Sequence, residues 1–118
     1  MRAQLSPSGQ YLAAAWGRKL RLINIKTGTE EIALRIAPEP SPGNLVFSPD
    51  EKRLAVQSED FSTQIWDLES KQPIFRTSTQ MQPIAFSADG RTLIVSTAKG
   101  LQFLRGATEE EVARQRGK

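Results

Sequence analysis

The side chains that most often perform chemistry in proteins are scarce in this sequence. Histidine and cysteine are absent, which removes the commonest general base, the thiolate nucleophile and two usual metal ligands. The serines lie mostly in turn-like stretches, and no nucleophile–base pair or glycine-rich phosphate loop is present. The adjacent acids Glu59 and Asp60 are a weak ligand set beside a true calcium loop. We therefore predict no enzyme activity, no cofactor and no metal.

The charge distribution indicates a mildly basic, solvated surface. The chain of 118 residues has a net charge of +3, with small basic clusters at Arg18-Lys19-Arg21 and Arg114-Arg116. A nucleic-acid site would need a basic stripe with interleaved aromatic residues, so we predict no nucleic-acid partner. The longest apolar run, Leu12 to Trp16, is too short to cross a bilayer, and the N-terminus lacks the apolar segment of a signal peptide. We predict no membrane partner and a cytoplasmic location.

A repeated turn organises the sequence. An apolar residue, a serine, a turn and a second apolar run recur three times, and the copies start 42 and 39 residues apart. Proline presets the backbone of a turn, aspartate accepts hydrogen bonds from backbone amides, and glycine adopts positive φ. These turn residues are Ser6, Pro7, Gly9, Ser48, Pro49, Asp50, Ser87, Asp89 and Gly90. A period near 40 built from hairpins is typical of propeller blades.

Each repeat is predicted to contain up to four strands. The outermost one, Glu30 to Ile36, alternates apolar and polar residues, which is typical of a half-buried strand. The third, Leu20 to Ile25, is apolar on both faces and so predicts burial between neighbouring sheets. The predicted strands are residues 3–5, 11–16, 20–25, 30–36, 44–47, 54–58, 63–68, 72–77, 83–86, 93–97 and 101–104.

The predicted fold is all-β, a partial β-propeller of about three four-stranded antiparallel blades, the third lacking its outer strand. The blades span approximately residues 3–36, 45–78 and 83–107 within a propeller unit of residues 1–107. Residues 108–118 are predicted to form a short C-terminal helix or tail, because Thr108 and Glu111 complete a capping box.

The pair Trp66-Asp67, preceded by Asp60 and Ser62, resembles the signature of the WD-repeat β-propeller family. The ending from Leu104 to Val112 is similar to the close of bacterial WD-repeat proteins. No repeat carries the family's Gly-His pair, so its Asp-His-Ser/Thr-Trp hydrogen-bond network cannot form here. Asp60 is still expected to hold its tight turn through backbone amides. Other propellers with a similar period and turns remain open as relatives.

The resemblance implies binding through one rim of the propeller, formed by loops between second and third strands and between blades. The candidate partner-binding residues carried over to this rim are Arg18, Lys19, Asp60, Phe61 and Lys99. The basic residues could meet an acidic peptide or a phosphate. Phe61 could anchor a partner or fold back onto the blade edge. Trp16 and Trp66 are expected in the core.

Three blades are fewer than the roughly four to eight of a closed propeller. Each end sheet would expose about 500 Å² of apolar surface, so we expect missing blades upstream or in another chain. The resemblance implies a non-catalytic scaffold, the C-terminal part of a WD-repeat propeller, with a protein or peptide partner. The alternative is a fragment of another propeller class, a periplasmic translocation factor or propeller enzyme whose functional residues lie outside this chain.

Overall fold

The regular secondary structure of the chain is entirely β in the part that the computed structural model describes, residues 2–36, 45–77 and 80–105. All eleven predicted strands are confirmed, each to within one residue at its ends. They are β1 (Arg2–Leu5), β2 (Tyr11–Trp16), β3 (Lys19–Asn24), β4 (Thr29–Arg35), β5 (Leu45–Phe47), β6 (Arg53–Gln57), β7 (Thr63–Asp67), β8 (Gln72–Arg76), β9 (Gln82–Phe86), β10 (Thr92–Thr97) and β11 (Gly100–Arg105).

The strands form three antiparallel sheets, each a meander of neighbours in sequence. The first blade is β1-β2-β3-β4, the second is β5-β6-β7-β8, and the third is β9-β10-β11. This arrangement confirms the predicted partial propeller with a three-stranded last sheet. The predicted helix at residues 108–118 lies outside the described residues, as does most of the connection before β5. Within the described ranges, no helix is long and apolar enough to span a membrane.

The repeated turn has the same hydrogen-bond pattern in the second and third blades. The Ser48 hydroxyl donates to Asp50 Oδ1 (2.6 Å) and accepts from the amide of Arg53 (2.9 Å). Asp50 Oδ1 also accepts from the amide of Lys52 at 3.0 Å. Ser87 and Asp89 repeat this pattern at 2.6 and 2.9 Å. A serine followed two residues later by an aspartate therefore satisfies the backbone groups of the hairpin.

The first blade varies this turn and uses it to contact the second. Ser8 occupies the aspartate position, where its hydroxyl accepts from the amide of Gln10 (3.2 Å) and donates to Glu51 Oε1 (2.7 Å). Glu51 stands where the other two turns have Gly9 and Gly90, and all three residues have positive φ. The left-handed backbone is unfavourable for glutamate. The Glu51 carboxylate, through its hydrogen bond with Ser8, links the turn of the second blade to that of the first.

Two apolar clusters hold the blades together. The first joins residues such as Leu20, Leu22 and Ile32 of the first blade to Leu54 and Val56 of the second. Another joins the second blade to the third through a group that includes Ala55, Ile65, Leu93 and Val95. Because the second blade has a neighbour on each side, every residue of β6 is buried.

The end blades differ because each has one uncovered face. Trp16 is half-exposed, so the prediction that it lies in the core is wrong for this structure. Ile25 is also exposed, whereas the sequence pattern predicted burial on both faces of its strand. Both side chains belong to the face of the first blade that points away from the second. Trp66, on the second blade, is half-buried and packs against the first cluster, as predicted.

We expect the turn carboxylates to make stability depend on acid pH. Burial raises the pKa of Asp50, but hydrogen bonds from Ser48 and Lys52 outweigh it and hold the pKa below its ordinary value. Hydrogen bonds from Ser87 and Arg91 lower the pKa of Asp89. Carboxylates with lowered folded pKa values stabilise the fold above the unfolded pKa of about 3.9, and this stabilisation disappears as the pH falls through the folded values.

The measurement is urea unfolding between about pH 2 and pH 7, for the wild type and for the double variant Asp50→Asn/Asp89→Asn. The amides can still accept the backbone hydrogen bonds but cannot titrate. The variant should therefore lose less stability than the wild type between about pH 4 and pH 2. Equal acid slopes for the two proteins would contradict this assignment.

Candidate functional site

The connections between second and third strands define one end of each blade, which we call the rim. They are residues 17–18, 58–62 and 98–99. A bridge joins the first two blades here. The amide of Ile36, just after β4, donates to the carbonyl of Arg18 in the loop of the same blade at 2.8 Å. Ile36 also forms an isolated antiparallel bridge with Ser58 of the second blade. The first two rim loops are therefore adjacent.

Asp60 organises the loop of the second blade. Its Oδ1 atom accepts from the amide of Ser62 at 3.0 Å and from the hydroxyls of Ser62 and Ser58 at 2.6 and 3.1 Å. These bonds, those of Ser62 foremost, lower the pKa of Asp60, so the side chain is an anion at neutral pH. This is the turn-holding role that the sequence predicted for Asp60. Because Oδ1 is saturated, Oδ2 is the atom that faces other groups.

Phe61 lies at the tip of the same loop. Its φ of 69° is in the left-handed region, which glycine adopts freely and a bulky residue rarely does. Its carbonyl accepts from the amides of Gln80 and Met81 at 2.9 and 3.2 Å, which ties the loop to the start of the third blade. The side chain is half-buried. Phe61 is thus partly folded against the protein, with part of the ring left to solvent.

An open groove of about 490 Å³ lies at the rim between the first and second blades. Its wall contains two exposed ion pairs, Arg35 Nε with Glu59 Oε2 at 2.7 Å and Arg76 Nη1 with Asp60 Oδ2 at 3.6 Å. Leu34, Ser58 and Gln64 complete the lining. Exposed pairs of this kind contribute little to stability, about 0–1 kcal/mol each.

The groove combines both signs of charge with an apolar side and hydrogen-bonding groups. Each guanidinium already faces a carboxylate, so the groove does not present the excess positive charge that a phosphate requires. A polypeptide segment matches it better, because a peptide brings amide donors and acceptors together with side chains of either charge.

The predicted basic residues sit elsewhere on the rim. Arg18 lies in the turn of the first blade, Lys19 starts β3, and Lys99 lies in the turn of the third blade. All three are exposed. Within the described residues, no carboxylate forms an ion pair with any of them. Of the five predicted site residues, only Asp60 lines the groove.

Sequence reasoning missed Arg35, Gln64 and Arg76 as groove residues. A signal was present, since an arginine is the second-last residue of the predicted fourth strand in each of the first two blades. Only the packing of one blade on the next shows that Arg35 faces the loop of the second blade. In the described ranges, no group of three or more acidic residues could hold a metal ion.

These observations define the class of the chain by its fold, an all-β protein made of propeller-like blades. No protein-family model and no curated protein matches the chain. Among solved structures, the chain is similar to hydrazine synthase of Kuenenia stuttgartiensis, which contains a β-propeller. The TM-score is 0.63 at 23% identity, over 80% of this chain and 28% of that one. The chain thus spans less than a third of the length of that neighbour, and the likeness concerns the fold alone.

Proposed function

We propose that this chain is a non-catalytic interaction scaffold, part of a propeller of the WD-repeat class, whose rim binds a protein or peptide. The observation that carries the proposal is the groove between the first and second blades. It is built from two ion pairs, a leucine edge and polar groups, at a junction where a β-bridge joins the two blades. Such a mixture suits the polar backbone and mixed side chains of a polypeptide.

The repeat features support the assignment to the WD-repeat class. Trp66 packs against the cluster between the first two blades, and Asp67 Oδ2 accepts from the amide of Ser70 in the following turn at 2.8 Å. The Trp-Asp pair thus combines packing between blades with turn formation. Phe61 lies in the same loop as the groove residue Asp60, half-buried and in a left-handed conformation. It adds an aromatic group of the kind that anchors partners.

The test is selection of binding peptides from a random twelve-residue display library on the purified chain, followed by calorimetric measurement of Kd. For the selected peptides, we expect the double variant Arg35→Ala/Arg76→Ala to weaken binding at least tenfold, about 1.4 kcal/mol. Arginine is one of the residue types enriched at interface hot spots, where truncation costs about 2 kcal/mol or more. Phe61→Ala should also weaken binding of the same peptides.

A matched control is the double variant Lys26→Ala/Arg91→Ala, which removes two exposed cations from turns at the opposite end of the blades. It should change Kd by less than about twofold. The proposal fails if the selected peptides bind both double variants equally, or if the library yields no peptide with Kd below about 100 μM.

A further inference from the structure

The exposed large apolar side chains are confined to the two end blades. Within the described residues they are Leu5, Trp16 and Ile25 on the first blade and Ile84, Leu101 and Phe103 on the third. None belongs to the second blade, which is covered on both sides. This distribution indicates that the end faces are built like the buried faces between blades.

On the first blade, Leu5, Leu12 and Ile23 stand opposite one another on neighbouring strands and share the uncovered face. The same register positions in the second blade are Phe47, Leu54 and Trp66, which pack against the first blade. In the third blade they are Phe86, Leu93 and Leu104, which pack against the second. We call this the leading face of a blade.

The uncovered face of the third blade is the other face of its sheet, with the other set of apolar residues. Ala85, Ile94 and Phe103 are directly opposed on its three strands. Their counterparts in the other two blades contact the blade that follows. These counterparts are Ala13 and Leu22 in the first blade and Val46, Ala55 and Ile65 in the second. We call this the trailing face. Both junctions in the structure place a trailing face on a leading face.

Equivalent residues differ sharply in burial according to whether a neighbour is present. On the leading face, Leu5 is 55% exposed while its counterpart Phe47 is 7%, and Ile25 is 47% exposed while Leu68 is 4%. On the trailing face, Phe103 is 56% exposed, whereas Leu22 and Ile65 are 0%. The end faces thus carry apolar residues at positions that a further blade buries.

We propose that a second copy of this chain covers both faces, the leading face of each copy packing on the trailing face of the other. The free faces are of the two types that pair at both observed junctions, so one chain carries both halves of the missing contact. The described parts of two copies contribute six blades, three from each, within the roughly four to eight of closed propellers, while those of three copies would exceed that range. A head-to-tail contact that closes in this way makes a symmetric dimer.

A specific interface buries about 1,200–2,000 Å² in total, which is about 300–500 Å² for each of the four faces of such a dimer. Both junctions are identical by symmetry, so a single substitution on either face alters both.

The first test is the molar mass of the purified chain by light scattering and sedimentation at about 10–100 μM. The wild type should show twice the 13.1 kDa of the chain. Leu5→Asp and Phe103→Asp should each give a folded monomer, judged by β-sheet circular dichroism, because each places a carboxylate in an apolar junction. The control Thr27→Asp adds the same charge to an exposed turn and should remain dimeric.

The second test uses the absence of cysteine. Leu5→Cys and Phe103→Cys, mixed and treated with a short bismaleimide, should give crosslinked heterodimers, while neither variant alone should crosslink. A monomeric wild type would overturn the proposal, as would open oligomers of increasing size. Dissociation by only one of the two aspartate variants, or crosslinking of a single cysteine variant with itself, would indicate a face packed on its own copy and would equally overturn it.

Discussion

Replacement of Asp67 by alanine is expected to lower the free energy of unfolding by about 3–5 kcal/mol. Asp67 ion-pairs with the guanidinium of Arg53, and both side chains are nearly buried, at 15% and 9% exposure. Its other oxygen accepts from the amide of Ser70 at 2.8 Å. The variant removes the carboxylate partner of a buried cation and an acceptor of the turn together. Removal of one member of a buried pair costs more than the pair itself contributes.

Urea unfolding of Asp67→Ala, Arg53→Met and the double variant measures the coupling. We expect the double variant to cost clearly less than the sum of the single changes, because the buried cation that lost its carboxylate is then gone as well. The free energy of unfolding of Asp67→Asn should lie between those of the wild type and Asp67→Ala, since the amide oxygen can still accept from Ser70. Additive single costs would show that the loss arises from the turn alone.

The second large effect is expected at Leu54, which is fully buried between the first and second blades. Leu54→Ala should cost about 2–5 kcal/mol, because it removes apolar contact and leaves a cavity between two sheets. The neighbouring side chains Phe47 and Trp66 stand directly opposite on the flanking strands. Backbone hydrogen bonds fix the strands within each sheet, so the two sheets cannot easily move together to fill such a cavity.

Leu54→Met is the matched control, since it keeps the volume of the side chain and should cost less than about 1.5 kcal/mol. Leu12→Ala at the same register position of the first blade should cost much less than Leu54→Ala when both are placed in the Phe103→Asp protein, because the leading face of the first blade then lacks a neighbour. Equal losses at the two positions would contradict the assignment of Leu54 to a junction core.

The groove at the rim is formed by residues whose proximity depends on the packing of the first blade on the second. In the sequence, Asp60 was one acid of an adjacent pair, and Arg76 was the second-last residue of a predicted outer strand, residues 72–77. In the structure their side chains form an ion pair in the wall of one groove, at 3.6 Å, and Arg35 of the preceding blade lies 2.7 Å from Glu59 in the same wall. The predicted basic residues Arg18, Lys19 and Lys99 share the rim end of their blades but not this groove.

Short-range chemistry determined what could be predicted from the sequence alone. The serine-aspartate turns, the alternation in β4 and the spacing of the three copies depend on contacts within one hairpin, and so predict all eleven strands to within one residue. The roles of Asp60 and of the turn serines follow from the same local geometry. What depends on contacts between hairpins could not be read in this way.

Tertiary structure decided which apolar face of each blade is covered. Trp16 and Ile25 are apolar side chains of the kind that forms cores, yet they are exposed because, within the described residues, no sheet covers their face of the first blade. Arg35 and Arg76 became parts of one groove only through the placement of the first blade on the second. The physical reason is the same in each case: a strand sequence specifies two faces and their polarity, while burial and the meeting of charges depend on which neighbouring sheet is present.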